Sequence, residues 1–215
     1  MYARRRDRSI TQRRYSGRIS LHPHSCLCRL YPVFPPPQQV RHDGPDAPRV
    51  SGTRPAVQEA DEGFAVEHVS EMLDEPGTVV WLDLLQPDRA DLDILIEELN
   101  LHPLAIDDAI NEHQRAKLDR YDDHLFLASY VVRIDPETAE LGVSEVAAFI
   151  TDRALVTVRK SDHLEVEPLL ARWDSTKDHA GSGVAYLVHG LLDLLVDGHF
   201  DAVQELDEQI DSLEE

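Results

Sequence analysis

The stretch TVVWLDLLQPDRADLDILIEELN, residues 78–100, carries the clearest structural signal in the chain. Its opening is rich in Val, Leu and Trp, which favour a β-strand. Pro87 ends this strand, and Asp88 is a good N-cap, with Asp91 placed where a carboxylate stabilises the first turn of a helix. The apolar residues that follow recur at helical spacing. The stretch therefore predicts a strand followed by an amphipathic helix over about 89–100.

Further elements follow this pair at short intervals. Pro103 suits the first turn of a second helix over about 103–111, with Leu104 and Ile106 directed inward. Short connections between the later strands require antiparallel neighbours. The order predicts an α+β fold, an α/β/α layered domain with a mixed, partly antiparallel sheet. The remaining predicted elements are strands at 125–134, 145–151 and 154–160 and a helix at 164–173.

Residues 183–215 form a long helical pattern without Pro. Residues 201–215 carry seven acidic side chains and no basic one. Such a helix needs a partner helix or bound cations to offset the repulsion between like charges. The pattern continues to the last residue without a helix stop signal, so we expect a truncated, longer helix. A narrow coiled-coil seam is predicted from the 3-4-3 spacing of Val203, Leu206, Ile210 and Leu213.

Charge divides the chain into two parts. The net charge is −20, yet residues 1–54 carry eleven Arg against three Asp, a net of +8. Residues 55–215 carry ten basic and 38 acidic side chains, a net of −28. A chain this acidic repels a phosphate backbone, so we expect no nucleic-acid partner. The apolar runs are also far shorter than the roughly 20 residues that span a bilayer.

Residues 1–60 are predicted to be a disordered tail rich in Arg and Pro, because they have no helical or alternating period. An Arg-rich segment also suits binding to anionic lipid or nucleic acid, or an organelle transit peptide. A translation start assigned upstream of the true one would explain it equally well. His22, His24, Cys26 and Cys28 are candidate metal ligands, but their spacing is not that of a structural zinc site.

The most specific motif is LHPLAIDDAINEHQRAK, residues 101–117, in which His-Pro-Leu precedes an acidic pair. Together with the segments that follow, it resembles the cytoplasmic domain of CorA-type magnesium transporters over about residues 64–215. Ala116 departs from the family, which usually has Pro there. The other matching segments, in the same order, are YDDHLF at 121–126, LVTV at 155–158, LDLLVDGHF at 192–200 and DEQIDSLEE at 207–215.

The resemblance implies an architecture larger than this chain. Family members are homopentamers in which an α/β/α cytoplasmic domain leads into a stalk helix and two membrane spans, with Gly-Met-Asn at the pore mouth. Residues 61–182 would be the cytoplasmic domain and residues 183–215 the start of a truncated stalk. The parent protein would lie in the cell (inner) membrane, and the chain as given would be soluble and cytoplasmic. We expect the isolated chain to form a weak pentamer or none.

The resemblance also implies a regulatory Mg²⁺ site, with Co²⁺ as the alternative ion. In the family, Mg²⁺ between neighbouring cytoplasmic domains holds the pore closed, and the matching carboxylates here are Asp107, Asp108 and Asp193. Asp197 lies four residues after Asp193 and shares its helix face. Mg²⁺ takes only one or two carboxylates directly, which suits a site shared between subunits. A further ligand would lie beyond residue 215, and loss of the ion would loosen the interface.

Two other function classes stay open at this point. One is the zinc-transporting branch of the same superfamily, and the other is a standalone cation-binding or interaction module. No arrangement typical of an enzyme is visible in the sequence. Trp81 and Trp173 are interpreted as core packing, and the remaining His of the central region, His102, His113 and His124, as capping or surface residues.

Overall fold

The computed structural model describes residues 26–32, 58–59, 69–74, 77–111, 113–135, 138, 140–175 and 183–214. The strands are β1 (Cys26–Pro32), β2 (Gln58–Glu59), β3 (Thr78–Leu85), β4 (Lys117–Arg120), β5 (Leu125–Ile134), β6 (Leu141–Ile150) and β7 (Ala154–Arg159). The helices are α1 (Val69–Asp74), α2 (Arg89–Leu99), α3 (Pro103–Ile110), α4 (Glu167–Ser175) and α5 (Val184–Glu214).

The described strands form one seven-stranded sheet in the order β2-β1-β3-β7-β6-β5-β4. Strands β3 and β7 pair in parallel, and every other pair of neighbours is antiparallel. The parallel pair is made possible by the long connection through α2, α3 and the β4–β6 meander. The mixed sheet confirms the predicted α+β class.

The sheet separates two apolar clusters, because successive side chains of a strand point to opposite faces. On β3, Val80, Leu82 and Leu84 pack with α2 and α3 in one cluster. Val79 and Trp81 face the other side and pack with α4 and α5. Helices therefore cover both faces of the sheet, which confirms the α/β/α layering.

The predicted tail is partly structured. Residues 26–32 form β1, which pairs antiparallel with β3 from Cys26 opposite Leu84 to Pro32 opposite Thr78. Disorder throughout residues 1–60 is therefore wrong for this segment and for the short β2. His22 and His24 of the candidate metal cluster lie outside the described residues, as does the Arg-rich segment before them.

Leu104 also departs from the prediction. Ile106 is fully buried as expected, but Leu104 is 60% exposed. Residues two apart on an α-helix point about 200° apart, so only one of this pair can face the core. Strand β6 begins earlier than expected, at Leu141, and α4 lies three residues later than expected at its start.

Helix α5 is continuous over 31 residues and passes through Gly190 and Gly198. Gly190 is required by packing, since a Cβ there would lie 2.4 Å from Trp173 Nε1. Trp173 in turn contacts Trp81 edge to face, with ring centroids 4.6 Å apart. Both Trp are buried, as predicted. Among the described helices, none combines the length and the apolar character that a bilayer crossing requires.

Candidate functional site

Two helices with well-defined ends position the acidic pair. In α2, Asp88 and Asp91 form a reciprocal capping box, with both side chain-to-backbone bonds at 2.9 Å. Asn100 ends α2 in the left-handed conformation, with φ of 54°. The His102 ring then caps α3 by accepting a hydrogen bond from the Leu104 N–H at 3.2 Å, and Pro103 occupies the first helical position. The polypeptide therefore turns sharply between the two helices.

Asp107 and Asp108 are both accessible on α3, and each has a cation from its own chain. Asp107 Oδ1 lies 2.5 Å from the Arg89 guanidinium, with 44% of its side chain exposed. Asp108 Oδ2 lies 2.6 Å from Lys117 Nζ, with 28% exposed. The hydrogen bonds that Lys117 donates to Asp108 first, and then to Asp119, raise the pKa of Lys117. Both carboxylates are thus neutralised within the chain and still open to solvent.

The end of α3 is fixed by a second set of charges. Lys160 Nζ donates to the backbone oxygens of Ile110, at 3.2 Å, and Asn111, and lies 3.0 Å from Glu145 Oε2. A cation at the carboxyl end of a helix satisfies carbonyl groups that have no partner within the helix. Glu145 also accepts a hydrogen bond from the His113 N–H. Helix α3 is therefore capped at its start and contacted by Lys160 at its end, and the acidic pair lies between these two contacts.

Asp193 and Asp197 lie on α5, and no group of metal ligands in the described residues joins them to the acidic pair of α3. Asp193 forms an ion pair with Arg172, and its Oδ2 is 3.4 Å from His189 Nδ1. Asp197 is exposed one turn further along. Throughout the part of the chain that the structure describes, no three His, Cys, Asp or Glu side chains come together in a group that could hold a metal ion. The four predicted aspartates therefore do not build a complete site within one copy.

Apolar residues are exposed beside both groups of aspartates. Leu104 is exposed one helical turn before Asp107 and Asp108. Helix α5 carries a longer stripe, which we call the α5 stripe. Such contiguous apolar surface is typical of a protein contact rather than of a solvated face. The α5 stripe consists of Leu192, Val196, Phe200, Val203, Leu206 and Ile210.

Sequence reasoning missed a buried ion pair on the opposite face of the sheet. Asp83, which is 1% exposed, accepts hydrogen bonds from Arg159 Nε at 3.0 Å and Nη2 at 2.6 Å. Thr157 Oγ1 donates to the same carboxylate at 2.6 Å and accepts from Trp81 Nε1 at 3.1 Å. Asp83 shares the strand face of Trp81, which was a usable signal, because a carboxylate on a buried face requires a partner.

His124 also departs from the prediction. The sequence predicts a capping or surface residue, but His124 is only 5% exposed. His102 and the exposed His113 agree with the expectation. No sequence signal distinguishes His124, because its burial arises from packing against Tyr121 and Phe149 rather than from local periodicity.

Most of the described part of the chain, including α3 and α5, matches a known protein family. Residues 76–215 match the family described as CorA-like Mg2+ transporter protein. The chain belongs to this family. The CorA-like match includes α3, with Asp107 and Asp108, and α5, with Asp193 and Asp197.

Curated relatives of the CorA-like chain are transporters. It is 29% identical over 136 residues to the provisionally named metal ion transporter YfjQ of Bacillus subtilis (strain 168). The aligned region covers 63% of this chain and 41% of that protein. It is 27% identical over 143 residues to the cobalt/magnesium transport protein CorA of Thermotoga maritima. This aligned region covers 66% of this chain and 41% of that protein. The chain thus spans about two fifths of the length of these relatives.

The fold of the CorA-like chain also has a solved counterpart. The soluble domain of CorA from Methanocaldococcus jannaschii matches with a TM-score of 0.54 at 10% identity, covering 87% of this chain and 62% of that one. At this identity the match shows a shared fold alone. The shared fold agrees with the layered α+β architecture and the long C-terminal helix.

Proposed function

We propose that this chain is the cytoplasmic, cation-responsive domain of a CorA-like divalent-cation transporter. Mg²⁺ bound through its carboxylates controls how tightly the domain associates with neighbouring copies, and Co²⁺ is the alternative ion. The observation that carries the proposal is the family match over residues 76–215, which takes in the acidic pair of α3. Transport itself would belong to a membrane-spanning part outside the printed sequence.

The exposure of the acidic pair supports a site shared between copies. Asp108 and Asp107 are 28% and 44% exposed, so a carboxylate or a bound ion from a neighbour has access to both. Mg²⁺ retains several waters and binds one or two protein carboxylates directly. A single copy therefore supplies enough ligands for half of such a site, which agrees with the absence of a three-ligand group in the described residues.

The surface around the acidic pair supports an interface at the same place. Leu104, 60% exposed, stands beside the two carboxylates, and the α5 stripe provides further apolar area. Covering these residues would favour association by about 25 cal/mol per Å² of apolar surface buried, before the entropy cost of association is subtracted. The acidic character of α5 opposes such packing until cations neutralise it. Mg²⁺ would thereby shift the equilibrium toward the assembled state.

Sedimentation velocity of the full chain across a Mg²⁺ titration tests this proposal. In chelator we expect monomer or weak association, and added Mg²⁺ should raise the weight-average sedimentation coefficient. Asp108→Asn should move the midpoint to a Mg²⁺ concentration about tenfold higher, the equivalent of about 1.4 kcal/mol. Glu97→Gln is the matched control, since it removes one charge from an exposed position on the adjacent helix α2.

Three other outcomes of the titration would change the proposal. A midpoint that is identical in the native chain and Asp108→Asn would remove the acidic pair of α3 from the site. Association driven by Zn²⁺ and not by Mg²⁺ or Co²⁺ would favour the zinc-transporting branch of the superfamily. Binding without any change in association would favour a standalone cation-binding module.

A further inference from the structure

Three aromatic rings form a column that joins the start of α3 to the connection between β4 and β5. The rings of His102 and Tyr121 stack with centroids 4.7 Å apart and planes at 25°. Tyr121 stacks in turn on His124, at 4.8 Å and 13°. The Tyr121 N–H also donates to the His124 carbonyl oxygen at 2.9 Å. The column therefore connects two segments that are about 20 residues apart in the sequence.

The outer ring of the column holds the first turn of α3 only while it is neutral at Nδ1. His102 Nδ1 accepts the hydrogen bond from the Leu104 N–H. A protonated imidazole has N–H groups at both positions and no acceptor. Protonation would therefore remove the cap and place a positive charge at the positive end of the helix dipole. Both effects weaken the start of α3.

The surroundings of the inner ring, His124, disfavour its protonated form. His124 is 5% exposed, and neither Nδ1 nor Nε2 has a hydrogen-bond partner in the described structure. A charged ring at this position would have no acceptor for either N–H. Burial lowers the pKa of His124 below its ordinary value of 6.5, repulsion from His102 lowers it further, and Asp123 opposes the shift.

The charged groups around the column do not reverse this preference. Asp123, beside His124, accepts a hydrogen bond from the Asn100 side chain of the α2 C-cap at 2.5 Å. Burial is the main cause that raises the pKa of Tyr121. On the β4 side, the charges of Asp108 and Asp119 raise it further, and Lys117 opposes them. From β6, the apolar ring of Phe149 faces His124 with centroids 6.1 Å apart.

We propose that the column of His102, Tyr121 and His124 is a proton-operated latch, which holds the first turn of α3 while the buried His124 ring is neutral and releases it when that ring is protonated. An opened turn gives His124 access to water and frees His102 from its cap. The opened state therefore binds more protons than the closed state. By linkage, the latch is fully stable above about pH 6.5 and weakens as the pH falls below that value.

Release of the latch would reach the acidic pair through α3. Asp107 and Asp108 lie on the second turn of that helix, directly after the capped turn. This consequence depends on the proposed function, since it concerns the cation site of the same helix. The opening itself does not, and it is measurable without any cation.

Residue-resolved amide hydrogen exchange of the full chain in chelator tests the latch. Protection factors, corrected for the intrinsic effect of pH, are compared at pH 7.5 and 5.5. At pH 5.5 an ordinary imidazole is about ten parts protonated to one neutral, so opening should increase up to about tenfold. The protection of the Ala105 and Ile106 amides should fall accordingly, while that of the α2 amides stays unchanged.

Variants separate the latch from general effects of acid. His124→Phe retains a stacking ring that cannot titrate and should abolish most of the fall in protection. His102→Asn retains a capping oxygen and should reduce the fall. His189→Gln on α5, where the side chain is 66% exposed, is the matched control and should behave like the native chain.

The latch would be refuted if the native chain showed no fall in α3 protection, or if the fall persisted unchanged in the two stack variants. An NMR titration of the native chain provides a second test that needs no variant. The His124 ring should titrate below 6.5, and a pKa at or above 6.5 would overturn the proposal. If His124→Phe does not fold, His102→Asn and the ring titration still decide the question.

Discussion

Lys117 places its ammonium 2.6 Å from Asp108 Oδ2 and so occupies one of the positions where a cation would bind that carboxylate. The same ammonium lies 2.8 Å from Asp119 Oδ2. The lysine therefore neutralises Asp108 and would compete with an ion at the proposed site. The affinity of that site for a divalent cation would then depend on this competition as well as on the carboxylates themselves.

Replacement of the competing charge should strengthen cation binding. Lys117→Met retains most of the aliphatic side chain and removes the ammonium, so the Mg²⁺ midpoint should fall by up to about fivefold, the equivalent of about 1 kcal/mol for a partly exposed ion pair. Isothermal titration calorimetry measures the change. Arg120→Met, at an exposed position of the same strand, is the control for loss of one positive charge. A midpoint that stays the same or rises in Lys117→Met would contradict the competition.

The buried pair of Asp83 and Arg159 should dominate the stability of the parallel strands. Asp83→Ala leaves the guanidinium without its buried partner, so the free energy of unfolding should fall by about 3–5 kcal/mol. The double variant Asp83→Leu with Arg159→Met should recover much of this loss, because it removes both charges. Urea unfolding followed by circular dichroism measures both. Equal losses in the two variants would show that the charge is not the cause.

The contact of Gly190 with Trp173 makes a sharper packing prediction. Gly190→Ala would place a Cβ 2.4 Å from Trp173 Nε1 and should destabilise the chain by about 1–3 kcal/mol. Gly198→Ala is the matched control on the same helix, since its Cβ would meet nothing closer than the Val132 oxygen at 3.7 Å. Helix propensity predicts a gain of up to about 1 kcal/mol there. Similar thermal midpoints for the two variants would rule out the steric explanation.

Acid should weaken the whole domain through His124. Its pKa is lowered in the folded chain, first by burial, so the unfolded chain binds more protons. The stability that this ring contributes is complete above about pH 6.5 and is lost as the pH falls through and below that value. Urea unfolding at pH 7.5 and 5.5 should show a smaller difference in His124→Phe than in the native chain. An equal difference would assign the acid sensitivity to other groups.

Local chemistry was the reliable part of the sequence signal. The cap at Asp88, the Pro at the start of α3 and the helical periodicity of α2 depend on neighbours within a few residues, and the structure confirms all three. Strand β4 is not predicted because Lys117–Arg120 contains three charged residues and one apolar residue, the exposed Leu118, which leaves no apolar pattern to detect. Periodicity predicts an element only where one of its faces is buried.

Long-range features escaped prediction for a different reason. The partners Asp83 and Arg159 are 76 residues apart, and one of the two rings that pack against His124, Phe149, comes from the separate strand β6. The sequence indicates the acidic residues of the candidate site, but it does not indicate their counterions Arg89 and Lys117. An ion pair between two elements depends on their relative placement, which a spacing rule does not contain.

The pairing of β1 with β3 has a practical consequence for the boundaries of any shortened chain. A shortened chain that began at residue 61, the boundary predicted from composition, would lack the whole Arg- and Pro-rich segment. It would also strip the outer hydrogen-bonding partner from β3, over all seven residue pairs from Thr78 to Leu84. A bare, apolar edge of this length is a template for adding a foreign strand. Such a version should aggregate during purification, whereas a chain that begins just before Cys26 retains its own edge cover.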